Sequence, residues 1–173
     1  MFMIYPEHRT PKVRNAYFNA LHEADRNIGR LVETLERLKL DDKVVLLVIG
    51  ENGEAFHENN TVGHGREPYE PAIHVATVMW GKQYVKAGVE TYPLEHIDLV
   101  PTIYGLLGWQ PHPNFQGIDV LSPNRPPLNE RLLFFHTRSP SSFCDAVQYA
   151  GRWKYMWSFD YDNGTLCDLQ SDP

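Results

Sequence analysis

Apolar and polar positions follow three different rhythms along the 173-residue chain. Tyr17, Leu21, Ala24, Ile28, Leu31, Leu35 and Leu38 recur in steps of four and three. That spacing predicts an α-helix from Asn15 to about Leu40 with one apolar side, and it leaves Asp25 and Arg30 on the polar surface. Residues 1–14, with Pro6 and Pro11, read as an irregular lead-in. After a short turn at Asp41-Asp42, residues 43–49 form an apolar run that stops at Gly50, and a second run, 75–80, stops at Gly81. Short apolar runs bounded by glycine predict buried strands. The order helix, turn, strand is that of an α/β unit.

Downstream, 96–108 predicts a short helix in which Asp98 serves as N-cap, Pro101 sits in the first turn and Gly108 closes the C-terminus. Ser122–Pro127 is rich in proline and polar residues and reads as a linker. Short runs at Leu132–His136, Ala146–Tyr149, Trp153–Ser158 and Leu166–Leu169 predict a small antiparallel sheet, with Asn163-Gly164 as a hairpin signal.

Between the two apolar runs lies a third pattern, with no period. Residues 50–74 hold Glu51, Asn52, Glu54, His57, Glu58, His64 and Arg66. A connection this long inside a domain is usually functional or disordered, and its charge favours function. It follows a strand, and open α/β sheets bind ligands at the carboxyl ends of their strands. Glu51 and Asn52 offer oxygen donors to a divalent cation, and His64 offers nitrogen; oxygen alone suits Ca²⁺ or Mg²⁺, whereas imidazole shifts preference toward Zn²⁺ or Mn²⁺. A solvated turn after a strand has the same composition. His64 is flanked by Gly63 and Gly65, which let backbone approach a ligand closely. Arg66 is suited to an anionic oxygen. Glu54, His57 and Glu58 read as loop-shaping residues, Tyr69 and Glu70 as loop anchors, and His74, His96, His112 and His136 as packing or surface residues.

Composition narrows the picture. A 42% hydrophobic and 22% charged chain is an ordinary globular one. The net charge of -6 argues against nucleic acid as a partner. No apolar stretch approaches the roughly 18–20 residues of a membrane helix, and the first residues lack the pattern of a signal peptide. Cys144 and Cys167 lack metal-type spacing and read as two thiols, although in an exported protein a bridge between them becomes plausible.

Several motifs carry a resemblance. Gly50-Glu51-Asn52-Gly53-Glu54-Ala55-Phe56, then Gly63-His64-Gly65-Arg66 and Tyr69-Glu70, resemble the sulfatase branch of the alkaline phosphatase superfamily. So do Tyr17, Asp25 and Gly29 in the first helix, Asp98-Leu99-Val100-Pro101-Thr102 with Gly108, and Gln116-Gly117-Ile118-Asp119-Val120-Leu121. Arg152-Trp153-Lys154-Tyr155 and the stretch from Leu166 to Pro173 are similar to that family's later strands, with Cys167 where tyrosine is usual. The resemblance implies an α/β fold: an alkaline-phosphatase-like partial sheet flanked by helices, plus a small C-terminal antiparallel sheet. It implies a division into 1–125, the C-terminal part of the catalytic domain, and 126–173, a truncated antiparallel subdomain.

The resemblance also implies chemistry. Glu51, where the family has aspartate, and Asn52 would ligate a divalent metal, Ca²⁺ first and Mg²⁺, Mn²⁺ or Zn²⁺ otherwise. His64 and Arg66 would hold the anionic group of an ester substrate. The family's nucleophile, a formylglycine made from cysteine or serine in a Pro/Arg-containing motif, finds no match: Cys144 stands in Phe143-Cys144-Asp145-Ala146-Val147. A fragment of a longer polypeptide is therefore expected, inactive alone, with the N-terminal remainder of its catalytic domain as partner, an extracytoplasmic location and homo-oligomerisation left open. The same motifs admit a phosphodiesterase or a phosphoethanolamine or phosphoglycerol transferase. Glu51 in place of aspartate admits a binding domain that has lost its metal.

Overall fold

The computed structural model describes residues 7–140 and 142–172. The first six residues of the expected lead-in and the terminal Pro173 lie outside them. The described residues form two units, one running up to Ala87 with Thr137–Ser142, the other Gly88–His136 with Phe143 onward.

In the first unit, α1 spans Thr10–Arg37. It begins five residues earlier than the apolar period predicts, because proline belongs comfortably in a first helical turn, where its missing N–H is not needed. The helix ends in a Schellman motif: Lys39 takes φ +56°, its N–H donates to the Glu36 carbonyl, and Leu40 N–H donates to that of Leu35. Of the predicted apolar side, Tyr17, Ile28 and Leu35 are half-buried while Leu21, Leu31 and Leu38 are exposed, and no residue of α1 is fully buried.

The two apolar runs become β1, Leu46–Ile49, and β4, Thr77–Trp80, which pair antiparallel from Leu46 with Trp80 to Ile49 with Thr77. The expectation of buried strands is corrected here: β1 is half-covered throughout and Val78 of β4 is exposed, because among the described residues this sheet has two strands only. Between them the supposedly irregular loop holds β2, Ala55–Phe56, β3, Val62–Gly63, and a one-turn helix α2, Glu70–Ile73.

In the second unit, a 3₁₀ turn, His96–Asp98, leads into α3, Leu99–Leu106. Asp98 does not cap α3 with its side chain. Glu95 is the N-cap of the preceding turn and Asp98 its third residue, in a reciprocal capping box. Gly108, at φ +67°, closes α3 as expected. The family-like Gln116–Leu121 string is held by two residues of this helix region that are 0% exposed. Asp98 accepts from Ile118 N–H at 2.8 Å, and the Thr102 hydroxyl accepts from Val120 N–H at 3.2 Å. A side chain at Gly117 would place its Cβ 2.1 Å from the Ile97 carbonyl oxygen, so only glycine fits.

The C-terminal sheet has the order β5-β6-β7-β8: Leu132–Ser139, Ser142–Tyr149, Trp153–Ser158 and Asn163–Asp168. Alternation buries Leu133, Cys144, Ala146, Lys154 and Met156, and leaves Leu132, Phe134, Tyr149, Trp153 and Tyr155 exposed. Asn163-Gly164 is not the hairpin turn. Both residues lie in β8, opposite Ser158 and Trp157, and Gly164 leaves room for Tyr155, whose hydroxyl would sit 2.1 Å from an added Cβ. Neither cysteine is in a disulfide: Cys144 lies opposite Ser158 and Cys167 opposite Lys154.

Candidate functional site

The stretch after β1 is built on backbone anchors. Gly50 N–H donates to the Ala76 carbonyl, and Gly53 N–H to that of Ala72, at 3.0 and 2.9 Å. A Cβ on Gly53 would fall 2.0 Å from the Pro71 oxygen, so glycine is required for this close approach to α2. Tyr69 is the N-cap of α2 and Glu70 lies in its first turn, so the expected loop anchors are the residues that set this support in place.

From Gly53 the chain enters the β2–β3 hairpin, in which Ala55 pairs with Gly63 and Phe56 with Val62. The connection between these strands uses left-handed backbone at His57, Asn59 and Asn60. Asparagine tolerates that region better than most residues. Glu58 turns back into the hairpin, accepting from Phe56 N–H and from Arg14 of α1 at 2.5 Å. Burial works to raise the Glu58 carboxyl, but its own and Phe56 backbone N–H groups, with Arg14, outweigh it and hold the carboxyl below its usual value. Arg14 also lies 5.2 Å from the centroid of the Phe56 ring, and Tyr17 meets that ring edge-on at 5.3 Å. Glu58 is thus structural, as its sequence reading held.

The candidate ligands sit on this frame. Glu51 and Asn52 are exposed at the exit of β1. The Asn52 amide nitrogen donates to the Gly53 carbonyl at 2.7 Å, which leaves the amide oxygen as the side chain's donor atom for a cation. His64 follows β3 between two glycines in left-handed backbone, Gly63 at φ +82° and Gly65 at +74°, and Arg66 is half-buried just beyond. Glu54 spans the hairpin: its Oε2 lies 2.7 Å from His64 Nδ1. Reading Glu54 as a loop-shaping residue missed this partnership. The signal was present in two short extended arms around Asn59-Asn60, which put residue 54 across from residue 64.

One carboxylate and one amide oxygen suit a hard divalent cation in donor type. In number they are too few for six to eight ligands, and among the described residues no group of three or more His, Cys, Asp or Glu side chains is placed to hold a metal ion. Glu51 and Asn52 fit such an ion as part of a ligand set completed by other residues. A cavity of about 340 Å³ in the second unit, lined by Glu90, Tyr92, Arg125 and prolines, is a poorer candidate. Its cation, Arg125, is engaged by Glu90 at 3.0 Å and stacked on Tyr92 at 4.3 Å.

Comparison with known proteins adds the remaining observations. A family model described as Sulfatase matches residues 4–109. Arylsulfatase K of Mus musculus is 27% identical over 186 residues, covering 98% of this chain and 32% of that protein. The chain spans about a third of the length of the curated relatives it matches. A solved structure described in complex with its substrate D-glucosamine-2-N,6-O-disulfate superposes with a TM-score of 0.75 at 22% identity, covering 86% of this chain and 32% of that one. A phosphonate monoester hydrolase from Silicibacter pomeroyi superposes with a TM-score of 0.70 at 19% identity, covering 87% and 33%. At these identities the structures establish the fold, the alkaline-phosphatase-like α/β architecture followed by a four-stranded antiparallel sheet.

Proposed function

The chain belongs to the sulfatase family, and on that premise we propose that it is the C-terminal part of a metal-dependent enzyme that hydrolyses sulfate esters. The observation that carries this reading is the stretch from Glu51 to Arg66. It gathers a carboxylate, an amide oxygen, an imidazole and a guanidinium on a loop and hairpin anchored through Gly53. Glu51 and Asn52 hold the cation together with residues from the rest of the catalytic domain. When bound, such an ion neutralises the ester's anionic oxygens and favours an ionised nucleophile. Two oxygen donors of this kind suit Ca²⁺ or Mg²⁺, and the family resemblance puts Ca²⁺ first.

His64 and Arg66 bind the anionic oxygens of the ester, Arg66 through its planar fork of N–H donors. The nucleophile comes from outside this chain, as a formylglycine in the preceding part of the domain. The 173-residue chain alone therefore turns over neither sulfate nor phosphate esters, and an assay of the purified chain with both ester types checks this. The sulfate-bearing aryl and sugar compounds named for its relatives suggest the substrate class. An extracytoplasmic location is proposed from the family resemblance alone.

The likeness to a phosphonate monoester hydrolase favours a second reading, in which the same residues hold a phosphoryl or phosphonyl ester. Peptide mass spectrometry of the complete polypeptide separates the two. Formylglycine upstream of Met1 supports sulfate-ester chemistry, and an unmodified threonine nucleophile moves the assignment to phosphoryl esters. Absence of any nucleophile leaves Glu51 as the mark of a site that has lost catalysis.

A further inference from the structure

We infer that Glu54 is the positioning residue of this site: its carboxylate holds the His64 ring with Nδ1–H facing Oε2, so that Nε2 is the atom that meets the ester's anionic oxygen. This rests on the reading of His64 as an anion-binding residue. Three observations support it. The contact is 2.7 Å long and joins residues ten apart in sequence, so it is made by the hairpin and not by local chain stiffness. The Glu54 side chain is 24% exposed against 42% for His64, so the carboxylate is the sheltered member of the pair and the ring the outer one. The backbone behind Glu54 is fixed, since Gly53 is bonded to Ala72 and crowded by Pro71, while Ala55 is paired with Gly63.

A histidine acts through one ring nitrogen according to what the other is bonded to. With Nδ1 donating to a carboxylate, the proton on that atom is assigned. An anionic oxygen is then met at Nε2, the other nitrogen of a ring whose orientation the Glu54 carboxylate fixes. Such supporting partners commonly change ligand affinity 10–100-fold when removed. Glutamine at position 54 retains an acceptor oxygen but not the charge, and alanine retains neither.

The test is ring-¹⁵N NMR of His64 in the 173-residue chain, for wild type, Glu54→Gln and Glu54→Ala, with inorganic sulfate as probe. The Nδ1–H form is expected in wild type and in Glu54→Gln, and its loss in Glu54→Ala. Sulfate is expected to shift the Nε2 resonance, with affinity falling about tenfold in Glu54→Ala and less in Glu54→Gln. A Glu54→Ala variant that keeps both the Nδ1–H form and the wild-type sulfate response overturns the inference. If the proton form changes in Glu54→Ala while sulfate leaves His64 unmoved even in wild type, the positioning stands and the anion-binding reading fails. Should Glu54→Ala not fold, the Glu54→Gln data still decide: a ring without the Nδ1–H form there overturns the inference.

Discussion

Two charge-rich regions of this molecule use their charge in opposite ways. In the second unit, Asp98 is 0% exposed and its carboxylate accepts from the backbone N–H groups of Glu95 and Ile118 and from Arg131. Glu95 accepts in turn from Phe134 N–H at 2.7 Å and from Arg131 at 3.2 Å. These groups fasten a capping turn, a loop and a strand to one another. In the first unit, Glu51 and Asn52 stand exposed at a strand exit, whereas Glu54 is drawn into the hairpin through His64 and Glu58 through Phe56 N–H and Arg14. The number of charges does not distinguish a site from a scaffold. Saturation does: a carboxylate that accepts several internal donors is committed to folding, whereas one held at the surface on a rigid backbone is available to a ligand.

The comparison breaks first at its buried end. Asp98→Ala leaves Arg131 without a carboxylate it needs and frees two backbone donors, and it is expected to destabilise the chain by about 3–5 kcal/mol. Chemical denaturation measures this, and a loss below about 1 kcal/mol would remove the cluster's scaffolding role. Gly53→Ala should cost about 1–3 kcal/mol through its clash with Pro71. Amide exchange should quicken at Gly53, His57 and Thr61 while the protection of Ile118 and Val120 stays unchanged.

Acid should separate the regions by sign. Glu58 has a depressed pKa, so it contributes stability above its ordinary value of 4.5 that is lost as pH falls below it. Burial pushes Glu95 up, against Phe134 N–H and Arg131, with Asp98 adding to the rise. Its contribution is therefore greatest below 4.5 and declines as pH rises through its folded pKa. Relative to wild type, Glu58→Gln should flatten the loss of stability as pH falls below 4.5, and Glu95→Gln should steepen the loss as pH falls toward 4.5 from above, as read from unfolding midpoints on either side of that value. The smallest effect belongs to the candidate ligands. Glu51→Gln and Asn52→Ala should each leave the melting curve within about 0.5 kcal/mol of wild type. A large loss there would place these residues with the scaffold.

Much of this was legible in the sequence where a strong pattern met a simple environment. The helical period of α1 and the small antiparallel sheet at the end of the chain are both found in the structure. Errors arose where tertiary contact overrode local chemistry. Pro11 looks like a breaker but occupies a first turn, Asn163-Gly164 looks like a turn but makes space for Tyr155, and Asp98 stands at the N-cap of α3 but commits its side chain to the capping box with Glu95. The apolar runs of β1 and β4 announced strands without their antiparallel pairing, because hydrophobicity reports burial and not direction. Within the site, the glycines around His64 were informative since they are in left-handed backbone. Glu54 was hidden because a partner across a hairpin shows no adjacency in sequence.

The most direct test of the central claim is sulfate-ester turnover by the complete polypeptide carrying Glu51→Ala and Asn52→Ala together, compared with wild type at saturating Ca²⁺. A fall of about 100-fold or more is expected, with the melting temperature of the calcium-free protein unchanged. Turnover equal to wild type in the folded double variant would contradict the assignment of this loop as the catalytic metal's seat.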